Sequence, residues 1–182
     1  MAMKIKEDQD IGALIKGRIR DIKDYPKKGI IFRDITPLLK DSEAFGKCVE
    51  ELSRRLSGIE FDYIVGIEAR GFIIGSALAY RMKKGFVPIR KKGKLPYDKI
   101  SRDYKLEYGI ETVEVHMDSI KEGNKVVIVD DLLATGGTAS ASKSLVTELG
   151  GKVQKFAFIV ELSELNGRHL LGDENVISLV KY

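Results

Sequence analysis

The sequence predicts an α/β fold, a mostly parallel, twisted sheet with helices on both faces. Three observations carry this reading. Short, continuous apolar runs rich in β-branched residues recur along the chain, as expected of strands buried on both faces. Stretches with helical spacing separate those runs, which is the alternation a parallel sheet requires. One run, Val126 to Val129, leads through two aspartates and a Gly-Gly turn into a further helical stretch.

Taken in order, Ile11, Leu14, Ile15, Ile19 and Ile22 fall at helical spacing. They predict a helix over residues 11–22, broken by Tyr25-Pro26-Lys27-Lys28-Gly29. Ser42 reads as the N-cap of a second helix, with Phe45, Val49, Leu52 and Leu56 on its inner face and Gly58 after it. Residues 63–67, 86–89, 126–129, 156–160 and 176–180 read as buried strands, and the alternating residues 112–116 as a half-buried one. Helices are predicted from Gly71 to Arg81 and from about Thr138 to Leu149, the latter with Leu145, Val146 and Leu149 as its core stripe. Residues 92–102 show little periodicity and read as part of a long exposed loop, a length that favours a functional lid.

The 182 residues fit one domain. No apolar run is long enough to cross a bilayer as a helix, and the polar first ten residues do not read as a secretory leader. The single cysteine, Cys48, allows neither an internal disulfide nor a cysteine-built zinc site, and suits a reducing cytoplasm. Cys48 reads as a small core residue. His116 and His169 lack metal-ligand partners at useful spacing. The net charge is +4, with positive charge concentrated in Arg81, Lys83, Lys84, Arg90, Lys91, Lys92 and Lys94, a stretch without an acid. Such a run reads either as an anion site or as a solvated surface loop.

The strongest constellation is Val129-Asp130-Asp131-Leu132-Leu133-Ala134-Thr135-Gly136-Gly137-Thr138. Ligands of open α/β sheets bind beyond the carboxyl ends of strands. Glycines let backbone N–H groups approach a phosphate, and a helix start adds unpaired donors and a positive dipole end. Ala134 to Thr138 therefore reads as a monophosphate cradle, with Thr135 and Thr138 as hydroxyl donors. Two carboxylates would repel that phosphate but suit a ribose diol or a hydrated metal ion. Phosphate beside diol describes a ribose 5-phosphate. The loop lacks both the Gly-Lys-Ser/Thr ending of an ATP-binding P-loop and the G-x-G-x-x-G of dinucleotide sites.

The run resembles the signature of type I phosphoribosyltransferases. Four further segments match that family in its order: Tyr25-Pro26 with Gly29 to Leu39, Val65 to Phe72, Ile89 to Pro96, and Tyr104 to Gly109. The resemblance implies the type I phosphoribosyltransferase fold, with a small N-terminal hood over residues 1–40 and a flexible lid loop over 92–108. It implies transfer of the phosphoribosyl group of 5-phosphoribosyl 1-pyrophosphate to a purine, adenine first, releasing pyrophosphate and forming AMP in purine salvage. Xanthine and 6-oxopurines are the neighbouring acceptors, and a nucleic-acid-binding regulator of the same fold is the rival from another class.

By the same resemblance Glu68, Ala69, Arg70, Arg90, Lys91, Lys94 and Tyr108 serve the pyrophosphate, while Lys92 faces solvent. Arginine's planar fork suits phosphate oxygens. Ile31, Phe32 and Arg33 contact the base, with Phe32 stacked on it, although from sequence alone Ile31 and Phe32 read as core residues. Glu107 is the implied general acid/base. Mg²⁺ is the implied cofactor, held by the substrate and touched through water by Asp130 and Asp131 rather than ligated directly. The implied assembly is a homodimer in the cytoplasm, with no membrane or nucleic-acid partner.

Overall fold

The structure is a computed structural model, and it describes residues 11–106 and 109–182. The chain divides into two units, Met1–Glu51 and Leu52–Tyr182.

In the first unit a helical segment, α1, covers residues 11–16. The helix expected to reach Ile22 stops at Gly17-Arg18, whose amides donate to Ala13 and Ile15 carbonyls. The chain then turns back as a two-stranded hairpin, β1 (Arg20–Lys23) with β2 (Ile31–Asp34), antiparallel with Arg20 opposite Asp34. A chance helical spacing of Ile19 and Ile22 is overridden by this pairing. Next come α2 (Thr36–Lys40) and the start of α3 (Ser42–Leu56). The cap of α3 is Asp41 rather than Ser42: its Oδ1 accepts the Ala44 amide at 3.0 Å. The Arg18 side chain bonds the same carboxylate and lowers its pKa.

The second unit is built on a seven-stranded sheet of order β5-β6-β4-β3-β7-β8-β9. Its strands are β3 (Tyr63–Ile67), β4 (Gly85–Lys91), β5 (Lys99–Leu106), β6 (Gly109–His116), β7 (Lys125–Leu133), β8 (Lys152–Glu161) and β9 (Val176–Lys181). The β3–β4, β3–β7, β7–β8 and β8–β9 pairs are parallel, and β6 runs antiparallel to both β4 and β5. Val126 to Val129 are all buried, as a strand covered on both faces requires. α4 (Arg70–Met82) lies on the Ile64 and Gly66 side, where an added Cβ at Gly75 would meet Ile64 and the Phe86 ring. α5 (Gly137–Glu148) covers the other side, packing Leu145 and Val146 with Val65, Ile67, Val126 and Ile128.

The expected loop over residues 92–108 is in large part a strand. β5 pairs with β6 from Lys99↔His116 to Leu106↔Gly109. Ser101, Arg102 and Asp103 are exposed in succession, so no apolar alternation announces the strand. Its entry is tied down by buried Glu114, which accepts the Gly93 amide at 3.1 Å and pairs with Lys99 at 3.3 Å.

Candidate active site

β3 crosses over through α4 to β4 on one side, and β7 crosses over through α5 to β8 on the other. The adjacent ends of β3 and β7 therefore mark a topological switch point, where open α/β sheets bind ligands. Two loops leave the sheet there, residues 68–69 after β3 and residues 134–136 after β7.

β7 does not end before its aspartates, as the sequence suggested, but continues through them to Leu133 because β8 pairs with it as far as Glu161. β3 pairs only up to Val129. Asp130 and Asp131 thus project from a strand still anchored on one side. Asp131 is buried, and its Oδ2 makes no hydrogen bond. Arg70 Nε stands 3.0 Å from that oxygen as an ion pair. The Asp131 amide donates to Asp130 Oδ1 at 2.9 Å. Burial raises the pKa of both carboxyls; the charge of Asp131 drives Asp130 further up, whereas Arg70 opposes the rise at Asp131. α4 approaches so closely that a Cβ on Gly71 would lie 2.7 Å from the Val129 carbonyl oxygen and 3.0 Å from Asp130 Oδ1.

The glycine turn follows. Gly136 has φ +83° and is the N-cap of α5, its carbonyl accepting the Ser140 amide at 2.9 Å. A positive φ suits glycine. Among the described residues, the amides of Thr135, Gly136, Gly137 and Thr138 have no hydrogen-bond partner outside the helix's own pattern, and the first amides of a helix lack intrahelical partners. Thr135 is exposed, and Ala134, Gly137 and Thr138 are half-buried. The turn is a donor-lined cup at the positive end of a helix, with Thr135 exposed and Gly136 buried against Gly167.

Across the switch point, Glu68 gathers the cationic stretch. Its Oε1 pairs with Lys94 Nζ at 2.9 Å, while its Oε2 accepts the Lys91 amide at 2.9 Å and faces Arg90 Nε at 3.3 Å. Burial alone would raise the Glu68 pKa. Hydrogen bonds from Lys94, the Lys91 amide and Arg90 outweigh it and hold the carboxyl at about 2. The Glu68–Ala69 peptide is cis. Lys91 Nζ reaches Glu111 at 3.1 Å, and Glu111 accepts the Tyr104 hydroxyl at 2.8 Å. Burial pushes the Tyr104 pKa up to about 12. Of the cations that stand free of acids in sequence, Arg90, Lys91 and Lys94 are therefore met by Glu68 and Glu111 in the fold. Lys92 is exposed.

In the first unit, Ile31 is exposed and Phe32 half-buried, so neither is the fully buried core residue that composition alone suggests. Phe32 stands edge-to-face with Tyr25 at 5.3 Å, and Arg33 pairs with Asp21 at 2.5 Å. Glu107 and Tyr108 lie outside the described residues. His116 bonds the Pro96 carbonyl oxygen and His169 pairs with Asp173. Sequence reasoning missed Tyr104, Glu111 and Gly167, which reach the site only through strand pairing and the return of the chain after β8.

Comparison with known proteins agrees with this geometry. The phosphoribosyl transferase domain family matches residues 38–179. An adenine phosphoribosyltransferase of Thermosipho africanus is 60% identical over 162 residues, covering 89% of this chain and 95% of that protein. The crystal structure of adenine phosphoribosyltransferase from Thermoanaerobacter pseudethanolicus is similar with a TM-score of 0.90 at 54% identity, covering 92% of this chain and 98% of that one. The enzyme of Saccharomyces cerevisiae, solved with an imino-altritol bisphosphate and adenine, aligns with a TM-score of 0.88 at 35% identity, covering 94% of this chain and 99% of its own.

Proposed function

The chain belongs to the phosphoribosyl transferase domain family, and from that premise we propose that it transfers the phosphoribosyl group of 5-phosphoribosyl 1-pyrophosphate to adenine, giving AMP and pyrophosphate. The observation that carries the reading is the pairing of two adjacent acids, half-buried Asp130 and buried Asp131, with the amides of residues 135–138 at one switch point. A ribose offers diol to the first and 5-phosphate to the second. Adenine as the acceptor rests on the relatives, which are adenine phosphoribosyltransferases at 60% and 54% identity.

The residue roles follow from chemistry. Residues 134–138 hold the 5-phosphate with backbone donors and the Thr135 and Thr138 hydroxyls. Asp130 and Asp131 accept the ribose hydroxyls. The Glu68–Ala69 loop with Arg70, Arg90, Lys91 and Lys94, helped by Tyr108, takes the pyrophosphate. Negative charge grows on the departing pyrophosphate, so these cations favour the transition state over the ground state. Phe32 stacks on the base, with Ile31 and Arg33 reading its edge. Glu107 manages the purine proton. Rate enhancement then comes from positioning and electrostatics.

Mg²⁺ fits this donor set. Asp131 Oδ2 is a buried acceptor without a hydrogen bond. A substrate-borne, hydrated ion suits two adjacent carboxylates and, when bound, offsets the pyrophosphate charge. A homodimer in the cytoplasm completes the reading, supported by Ile73 and Tyr80, large apolar side chains exposed on α4, and by the lone buried thiol of Cys48.

The deciding experiment incubates the protein with adenine, phosphoribosyl pyrophosphate and Mg²⁺, with hypoxanthine and xanthine as parallel acceptors. AMP and pyrophosphate should appear with adenine. Turnover of hypoxanthine or xanthine in its place would overturn the choice of base, and no transfer to any of the three would overturn the activity.

A further inference from the structure

The phosphate cup is shaped from below by a glycine that none of the proposed substrate contacts involves. Gly167 opens α6 (Gly167–Leu171), and a Cβ added to it would overlap the Ala134 carbonyl oxygen and lie 2.9 Å from the Gly136 nitrogen. A Cβ on Gly136 would in turn lie 2.8 Å from the Gly167 carbonyl oxygen. The two backbones touch, so where Gly167 stands decides where residues 134–136 stand.

α6 has five residues and is too short to hold its own position. Its next residue, Arg168, does the holding. Nε and one terminal nitrogen grip Glu161 at 2.9 and 2.6 Å. The other terminal nitrogen donates to the Asp173 and Val176 carbonyl oxygens, both at 2.8 Å. A further bond reaches Ser178 Oγ at 3.2 Å. That employs all five guanidinium donors. Glu161 is 4% exposed and also accepts the Ser178 hydroxyl. It closes β8 and sits in register with Leu133, the residue before the cup. One ion pair therefore ties the strand beside the cup to the helix beneath it.

We propose that Arg168 and Glu161 are positioning residues for the 5-phosphate, acting through Gly167 on the 134–136 backbone. The inference rests on the reading of residues 134–138 as the phosphate cup. Bidentate geometry is the operative feature, so lysine should not replace Arg168, and Glu161→Gln should loosen the grip with little change of shape.

The test titrates AMP and, separately, inorganic pyrophosphate calorimetrically into wild type, Arg168→Lys, Glu161→Gln and Gly136→Ala, with melting curves to establish that each variant is folded. AMP binding should weaken about 10- to 100-fold in Arg168→Lys and Glu161→Gln, the scale of a misplacement near 1 Å. Pyrophosphate binding should stay within about twofold, the usual scatter for uncoupled sites. A general loss of structure would weaken both ligands together, and that outcome overturns the proposal. If Gly136→Ala weakens AMP but the other two variants bind it as wild type does, the positioning role alone is overturned. If Gly136→Ala also binds AMP normally, the reading of the cup fails, and the positioning role with it.

Discussion

Arg70 Nε lies 3.0 Å from Asp131 Oδ2, joining the first residue of α4 to the second carboxylate of β7. The Asp131 side chain is 4% exposed and that of Arg70 36%. The acid is thus fixed in the sheet, while about a third of the arginine side chain reaches solvent. Asp131→Asn removes the negative charge, and a half-solvated arginine tolerates that loss better than a buried one. Turnover should fall about 100-fold or more, the scale of losing one preorganised polar group at a reacting centre, with the melting temperature little changed. Steady-state kinetics and a thermal melt on the same preparation check both halves, and wild-type turnover would remove Asp131 from the site.

Asp130 carries the opposite lesson, a cost in stability kept for function. Its carboxyl is raised well above 3.8, first by burial and then by Asp131. In the window between 3.8 and the raised folded value, the native state binds more protons than the unfolded chain. Stability therefore falls as pH rises through that window, and the penalty is complete above it. Asp130→Asn abolishes the penalty, so the variant should be more stable than wild type at neutral pH and much less active. The gap should close as pH is lowered toward 4. Denaturant melts at a series of pH values measure it, and a gap that widened on acidification would refute the account.

These two residues show what the sequence could and could not reveal. Asp130, Asp131 and the Gly136-Gly137 turn are contiguous, so their chemistry was legible as one string, as were the continuous apolar runs of β3, β7, β8 and β9. β5 was not, because Ser101, Arg102 and Asp103 are all exposed and carry no period. The Glu68–Lys94 and Lys91–Glu111–Tyr104 contacts were not legible either. They exist only because β3, β4, β6 and β5 bring residues 20 or more apart in sequence to one place, with one short link from Tyr104 to Glu111 across a hairpin. The Arg168 grip is invisible in sequence because three of its five acceptors are not carboxylates.

Glu107 is the proposed proton carrier, and its removal should separate chemistry from binding. Glu107→Ala should slow the single-turnover rate about 100- to 10,000-fold, the range for general acid–base groups. Adenine and phosphoribosyl pyrophosphate should bind within a few-fold of wild type. Rapid-quench measurements of AMP formation, set beside equilibrium titrations, distinguish the two effects. Equal losses in rate and affinity would instead assign Glu107 to substrate binding.

Two glycines in helices should respond to alanine with opposite signs. Gly71 faces the Val129 carbonyl oxygen and the Asp130 carboxylate, where a Cβ would stand at 2.7 and 3.0 Å. Neither neighbour can yield without shifting the acid that the ribose needs. Gly71→Ala should cost about 1–3 kcal/mol of stability, as overpacking does, together with most of the activity. Gly46 lies in α3 with nothing within 4 Å of an added Cβ. There alanine gains helix propensity without a clash, and Gly46→Ala should stabilise by about 0.5–1 kcal/mol with activity unchanged. Urea melts and initial rates on both variants check the pair. A harmless Gly71→Ala would mean that α4 can retreat from β7, and that the close packing of its first turn does not fix the position of Asp130.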